Sequence, residues 1–92
     1  MINKPLKNEL EQFIINKVRE KRIGAKLSQK QLSEELNITL GFIGHVESPK
    51  NRAKYNINHL NKLAKIFNCA IKDFLPDPYI ETFDDPQQLN KL

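Results

Sequence analysis

The side chains of this 92-residue chain that can hold a partner by charge or hydrogen bonds fall into three sets. Lys50, Arg52 and Lys54 alternate along residues 48–56, SPKNRAKYN, and offer fixed positive charge. Ser28, Gln29 and His45 lie in the stretch just before them, SQKQLSEELNITLGFIGHVE (28–47), and offer donors and acceptors. Arg22 and Glu47 carry opposite charge at the ends of two apolar stripes. This is recognition chemistry, ionic and hydrogen-bonding. Covalent or metal chemistry has no comparable support. The single cysteine, Cys69, cannot form an internal disulfide, and neither it nor His45 and His59 falls into a metal-ligand spacing. There is no glycine-rich phosphate loop and no nucleophile paired with a base. No enzymatic activity, cofactor or metal is therefore expected.

The charge is unevenly spread. Residues 1–72 hold 14 Lys+Arg against 6 Asp+Glu, whereas residues 73–92 hold 1 against 5. A basic body with an acidic tail suits a polyanionic partner for the body, and it also suits an ordinary solvated surface. No run approaches the roughly 18 apolar residues of a membrane span, and no basic-then-apolar signal segment opens the chain, so a cytosolic protein without membrane contact is expected.

The elements that must position these residues follow from periodicity and capping. Leu10, Phe13, Ile14 and Val18 recur at three and four and predict a long helix near residues 6–24, for which Pro5 is a tolerated start. Ser28 with Gln31 forms a capping box that opens a second helix near 29–36, with Leu32 and Leu36 on one face. Asn37 suits the left-handed end of that helix, and Thr39 can cap a third helix, 40–47, whose inward face is Ile43, Val46 and the stem of Glu47. Pro49 bars its continuation. Asn56 caps a fourth helix, 57–67, with Leu60, Leu63, Ala64 and Phe67 as its stripe, and a short fifth is expected at 71–75. The predicted core is Phe13, Ile14, Val18, Leu27, Leu32, Leu36, Ile43, Val46, Leu60, Leu63, Ala64, Phe67 and Phe74. Residues 76–92, with Pro76, Pro78 and Pro86 among Asp77, Asp84 and Asp85, read as an extended acidic tail. A short strand near Tyr79–Phe83 is compatible with it. Tyr79, Ile80 and Phe83 want burial, either on the domain or on a second copy of it.

Two short helices joined by so little chain form a helix-turn-helix, and here the sequence resembles the phage-repressor and Cro (Xre-type) family. The resemblance is carried by Val18, Arg22, Leu27, Ser28, Gln29, Leu32, Ile43, Glu47, Leu63, Ala64 and the segment from Cys69 to Leu75, and it covers roughly residues 14–75. It implies an all-α, five-helix, lambda-repressor-like domain over residues 1–75. It also implies a partly buried ion pair between Arg22 and Glu47, joining the first helix to the recognition helix 40–47. Cys69 falls where the family prefers a small aliphatic residue, which makes it a packed hydrophobe. Ala70 replaces a usual capping Ser, so the last helix is expected to be poorly tied at its start. The loop 48–56 is about two residues longer than the family's.

On a helical wheel the outward face of helix 40–47 is Gly41, Gly44 and His45, with Leu40 and Phe42 on its flanks, and the resemblance places base-edge contacts at Leu40, Gly41, Gly44 and His45. Phosphate contacts are expected from Ser28, Gln29, Lys50, Arg52 and Lys54. The face is bare, because the family usually places Gln, Ser, Asn or Arg where this chain has Leu40, Gly41 and Gly44. Two readings follow. The first is a sequence-specific regulator that binds double-stranded DNA as a homodimer on a partly palindromic operator. The second is a protein-interaction module, antitoxin-like or adaptor-like, that uses the Gly41/Gly44 face. His59 is read as a surface or rim residue.

Overall fold

Residues 5–81 are described by the computed structural model, and among them the chain is all-helical, with four α-helices, one 3₁₀ turn and no strand. α1 spans Glu9–Gly24, α2 Gln29–Leu36, α3 Phe42–Glu47 and α4 Ile57–Phe67. The fifth expected helix, 71–75, is only the 3₁₀ turn Ile71–Phe74. Tyr79–Glu81 form no strand, and Phe83 lies outside the described residues. No described helix is long and apolar enough to cross a membrane.

Local chemistry sets where these helices begin. α1 starts three residues later than Pro5 suggests because Asn8 and Glu11 form a capping box. The Asn8 side chain accepts from the Glu11 amide at 2.8 Å and the Glu11 carboxylate accepts from the Asn8 amide at 2.9 Å. Ser28 and Gln31 do the same for α2, and Asn56 and His59 for α4, where His59 Nδ1 takes the place of a carboxamide oxygen. Ala70 has no capping side chain, yet the 3₁₀ turn is tied at its start because the Asp73 carboxylate accepts the Ala70 amide at 3.0 Å.

Ends are local too. Asn37 and Asn68 close α2 and α4 in the left-handed conformation, at φ 56° and 52°. At the end of α1 it is Lys26, not the nearby Gly24, that turns left-handed, at φ 62°.

α3 departs from expectation. It begins at Phe42 rather than residue 40, and Thr39 does not cap it. Instead the Thr39 carbonyl accepts from the Phe42 amide at 3.1 Å, and Gly41 takes φ 92°, ψ −15°, the geometry of the third residue of a type II turn. Leu40 and Gly41 therefore belong to the turn and not to the helix face. Gly41 is required by its backbone angle, since a β-carbon there would meet nothing within 4 Å.

The core is one cluster made of Val18, Leu32, Leu36, Ile43, Leu60, Leu63, Ala64 and Phe74, with Ile15 and Val46 also buried. α1 packs on α3 and on the 3₁₀ turn, α2 on α3 and α4, and α4 on the 3₁₀ turn. Phe74 thereby closes the cluster from the turn. Phe13, Ile14, Leu27 and Phe67, expected inside, are only half-buried, and Ile15 takes the inward place that the stripe reading gives to its neighbours. The inward face of α1 runs through Ile15, Val18 and Arg22. Cys69 is half-buried against the cluster.

Candidate nucleic-acid interface

Arg22 and Glu47 form the joint that fixes α3. Arg22 Nε and Nη2 donate to the two Glu47 carboxylate oxygens at 2.9 Å each, and Nη1 donates to the Leu27 carbonyl at 2.8 Å. Both side chains are nearly out of solvent, at 10% and 4% exposure. A paired fork of this kind tolerates burial because each charge keeps a directed partner, whereas removing one partner typically costs about 3–5 kcal/mol. Gln29 Nε2 also donates to Glu47, at 3.0 Å, and Arg19 Nε lies 3.8 Å from the same oxygen with its side chain 57% exposed. Arg19 thus presents a cation beside the end of α3, a placement that sequence reading missed.

Gln29 lies across α3. Its Oε1 stands 3.1 Å from where a β-carbon on Gly44 would sit, so the glycine leaves room for the amide of α2 to reach Glu47. This accounts for a second glycine in so short a segment. The outward surface of α3 and its turn then consists of Leu40, which is 56% exposed, Gly41 and His45, with Gly44 half-covered. Phe42, expected on the flank, turns instead toward His59 and Tyr55, with ring centroids 4.9 Å and 6.2 Å away. His59 is accordingly half-buried, in keeping with a place at the rim. Burial and then Lys62 push its imidazole below the ordinary value of 6.5.

Ser28 is exposed at the start of α2, its Oγ accepting from the Gln31 amide at 3.0 Å. In the loop after α3, Lys50 and Arg52 are exposed and have no ion-pair partner among the described residues. Lys54 differs from them. Its ammonium meets the Glu11 carboxylate at 2.6 Å, so its charge is partly spent within the fold. Burial pushes the Glu11 carboxyl up, but hydrogen bonds from Lys54 and the Asn8 amide, and the charges of Lys54 and Lys7, hold it below its ordinary value.

No family model matches this chain, and no curated protein does. The fold has a solved counterpart. The chain is similar to the crystal structure of the hypothetical transcription factor NHTF from Neisseria, at 18% identity and a TM-score of 0.65, over 91% of this chain and 86% of that one. At that identity the likeness speaks for a shared fold and not for any residue of the interface.

One residue near the site carried no signal at all in the sequence. Lys7 is only 6% exposed, and its ammonium donates to the carbonyls of Val46 at 2.7 Å, of Ser48, and more weakly of His45 at 3.4 Å. These carbonyls end α3 and begin the loop. Burial and the nearby Lys54 push the Lys7 ammonium below its ordinary value, with Glu11 opposing.

Proposed function

We propose that this chain is a sequence-specific DNA-binding transcriptional regulator of the Xre or Cro-like type, placing α3 in the major groove as one half of a homodimer on a partly palindromic operator. The observation that carries the reading is the joint of Arg22, Gln29 and Glu47. It fastens α3 at its inner end and leaves Leu40, Gly41 and His45 outward, next to a loop bearing the exposed cations Lys50 and Arg52. Ser28, Gln29, Lys50, Arg52 and, less fully, Lys54 are assigned to phosphate, which fixes register, with the Gln29 carboxamide also donating to Glu47. His45 is the one outward side chain able to bond a base edge, while Leu40 suits a thymine methyl and the bare glycines suit close backbone approach. A single short helix reads few base pairs, and this is the reason for proposing two copies about one duplex turn apart. The reading includes no catalysis, cofactor or metal.

Selection of bound sequences from a random duplex pool tests the proposal. A palindromic consensus is expected, and a pool that stays random while binding is insensitive to salt counts against it. The exposed Leu40 beside Gly41 favours a second reading, a module that docks a protein on this face. Under that reading the selection returns no consensus, and Leu40→Asp abolishes capture of the protein partner without changing affinity for duplex.

A further inference from the structure

We propose that Lys7 is a positioning residue for nucleic-acid binding, acting as a strap that holds α3 and the 48–54 loop in place from beneath while touching no nucleic acid itself. The functional half of this inference rests on the DNA-binding reading; the strap does not.

α3 is a six-residue helix without a side-chain cap at its start, and an acidic residue, Glu47, stands at its carbonyl end, where a negative charge is unfavourable. The last carbonyls of any helix lack intrahelical donors. Here one ammonium reaches the Val46 carbonyl and, more weakly, the His45 carbonyl, which also accepts from the Ser48 amide, within the helix, and Ser48 just beyond it, across 38 to 41 residues of sequence. Lys7 immediately precedes Asn8, whose capping box with Glu11 fixes the backbone at the start of α1. The other end of the loop is tied to the same place, because Glu11 Oε2 holds Lys54 while Glu11 Oε1 holds the Asn8 amide. Between these two fastenings the loop folds on itself. The Lys50 amide donates to Ser48 Oγ at 3.2 Å, Asn51 to the Ser48 carbonyl at 3.3 Å and Ala53 to Asn51 Oδ1 at 2.8 Å. Lys50 and Arg52 are the two cations between the fastenings that this arrangement holds outward. A loop ordered in advance does not spend affinity on being ordered during binding.

The test uses Lys7→Met, with Lys7→Gln as a milder variant that keeps one donor should the first fail to fold. Without DNA, amide exchange at Lys50, Asn51 and Ala53 is expected to accelerate at least tenfold relative to the amides of α4. Unchanged exchange in a folded variant overturns the strap. With duplex DNA, the slope of log affinity against log salt is expected to fall by roughly 0.9 for each phosphate that the loop ceases to neutralise. In a background already carrying Lys50→Ala and Arg52→Ala, Lys7→Met is expected to weaken duplex binding by a smaller factor than in the wild type, because only the part of the effect that runs through α3 remains. A role in stability alone gives the same weakening in both backgrounds, and that result overturns the functional half. Wild-type protein that shows no salt-dependent binding removes the DNA-binding reading, while the exchange measurement still judges the strap.

Discussion

At the scale of single residues, two kinds of position depart from ordinary preference. Gly41 is one, held at φ 92° in open space. Gly41→Ala is expected to lose about 1–2 kcal/mol, because an L-residue in the left-handed region crowds its own carbonyl. Urea unfolding measures this, and a loss below about 0.5 kcal/mol would mean that the turn relaxes to another type. Ser33 is the other kind. Its hydroxyl is fully buried in α2 and has no hydrogen-bond partner among the described residues, and the Tyr55 hydroxyl is in the same position. An unsatisfied buried hydroxyl costs roughly 1–3 kcal/mol, so Ser33→Ala is expected to raise stability by up to about that amount. A drop in the midpoint of thermal unfolding would show instead that a bound water satisfies Ser33. Burial, with the Glu47 charge, also pushes the Tyr55 phenol far above its ordinary value, so it stays neutral throughout the working range.

At the scale of elements, α4 carries a pH-dependent start. His59 Nδ1 accepts from the Asn56 amide at 3.0 Å, which only an imidazole unprotonated at that nitrogen can do. Its folded value lies below the ordinary 6.5, so the unfolded chain binds the proton more readily. The cap's contribution is therefore complete above about pH 6.5 and is lost as pH falls through the lower folded value. His59→Gln, which keeps the capping acceptor without a titrating group, is expected to flatten that part of the profile. Thermal unfolding of both proteins between pH 8 and 5 checks it, and parallel profiles would rule the cap out as the titrating feature. The same elements show what can be read in advance. The start of α2 at Ser28 and Gln31 and the ends at Asn37 and Asn68 are legible, because each is decided by side chains within a few residues. The boxes at Asn8 and Asn56 obey the same rule, but Pro5 draws the first start too early, and His59 reads as a rim residue and not as an acceptor. The start of α3 is misplaced because a helical wheel assumes helical angles at Gly41. Lys7 and the Lys54 to Glu11 bridge are not legible, since they join residues 38 to 43 apart and depend on how the helices pack.

At the scale of the whole molecule, affinity and specificity are expected to divide between the loop and α3. Removing the Lys50 or Arg52 charge should weaken binding to operator and scrambled duplex alike and lower the salt slope by roughly 0.9 for each phosphate no longer neutralised. Lys54→Ala should change the slope less, because that ammonium is already engaged by Glu11. His45→Ala should leave the slope nearly unchanged while reducing discrimination by about 1–3 kcal/mol at one base position. Paired titrations over a salt series measure all four variants, and equal weakening of both duplexes by His45→Ala would transfer specificity to DNA shape.

The way α3 is held carries a consequence for how such a protein can change over time. Its inward side chains Ile43 and Val46, its joint through Glu47 and its fastening through backbone carbonyls leave Leu40 and His45 without a stabilising role in the fold. Those two positions are consequently open to rewriting: a lineage, or a library, can sample new residues there and acquire new targets while the scaffold is inherited unchanged. Gly44 differs from them, because a β-carbon there would stand 3.1 Å from Gln29 Oε1 and the Gln29 side chain, which donates to Glu47, would have to shift to admit it.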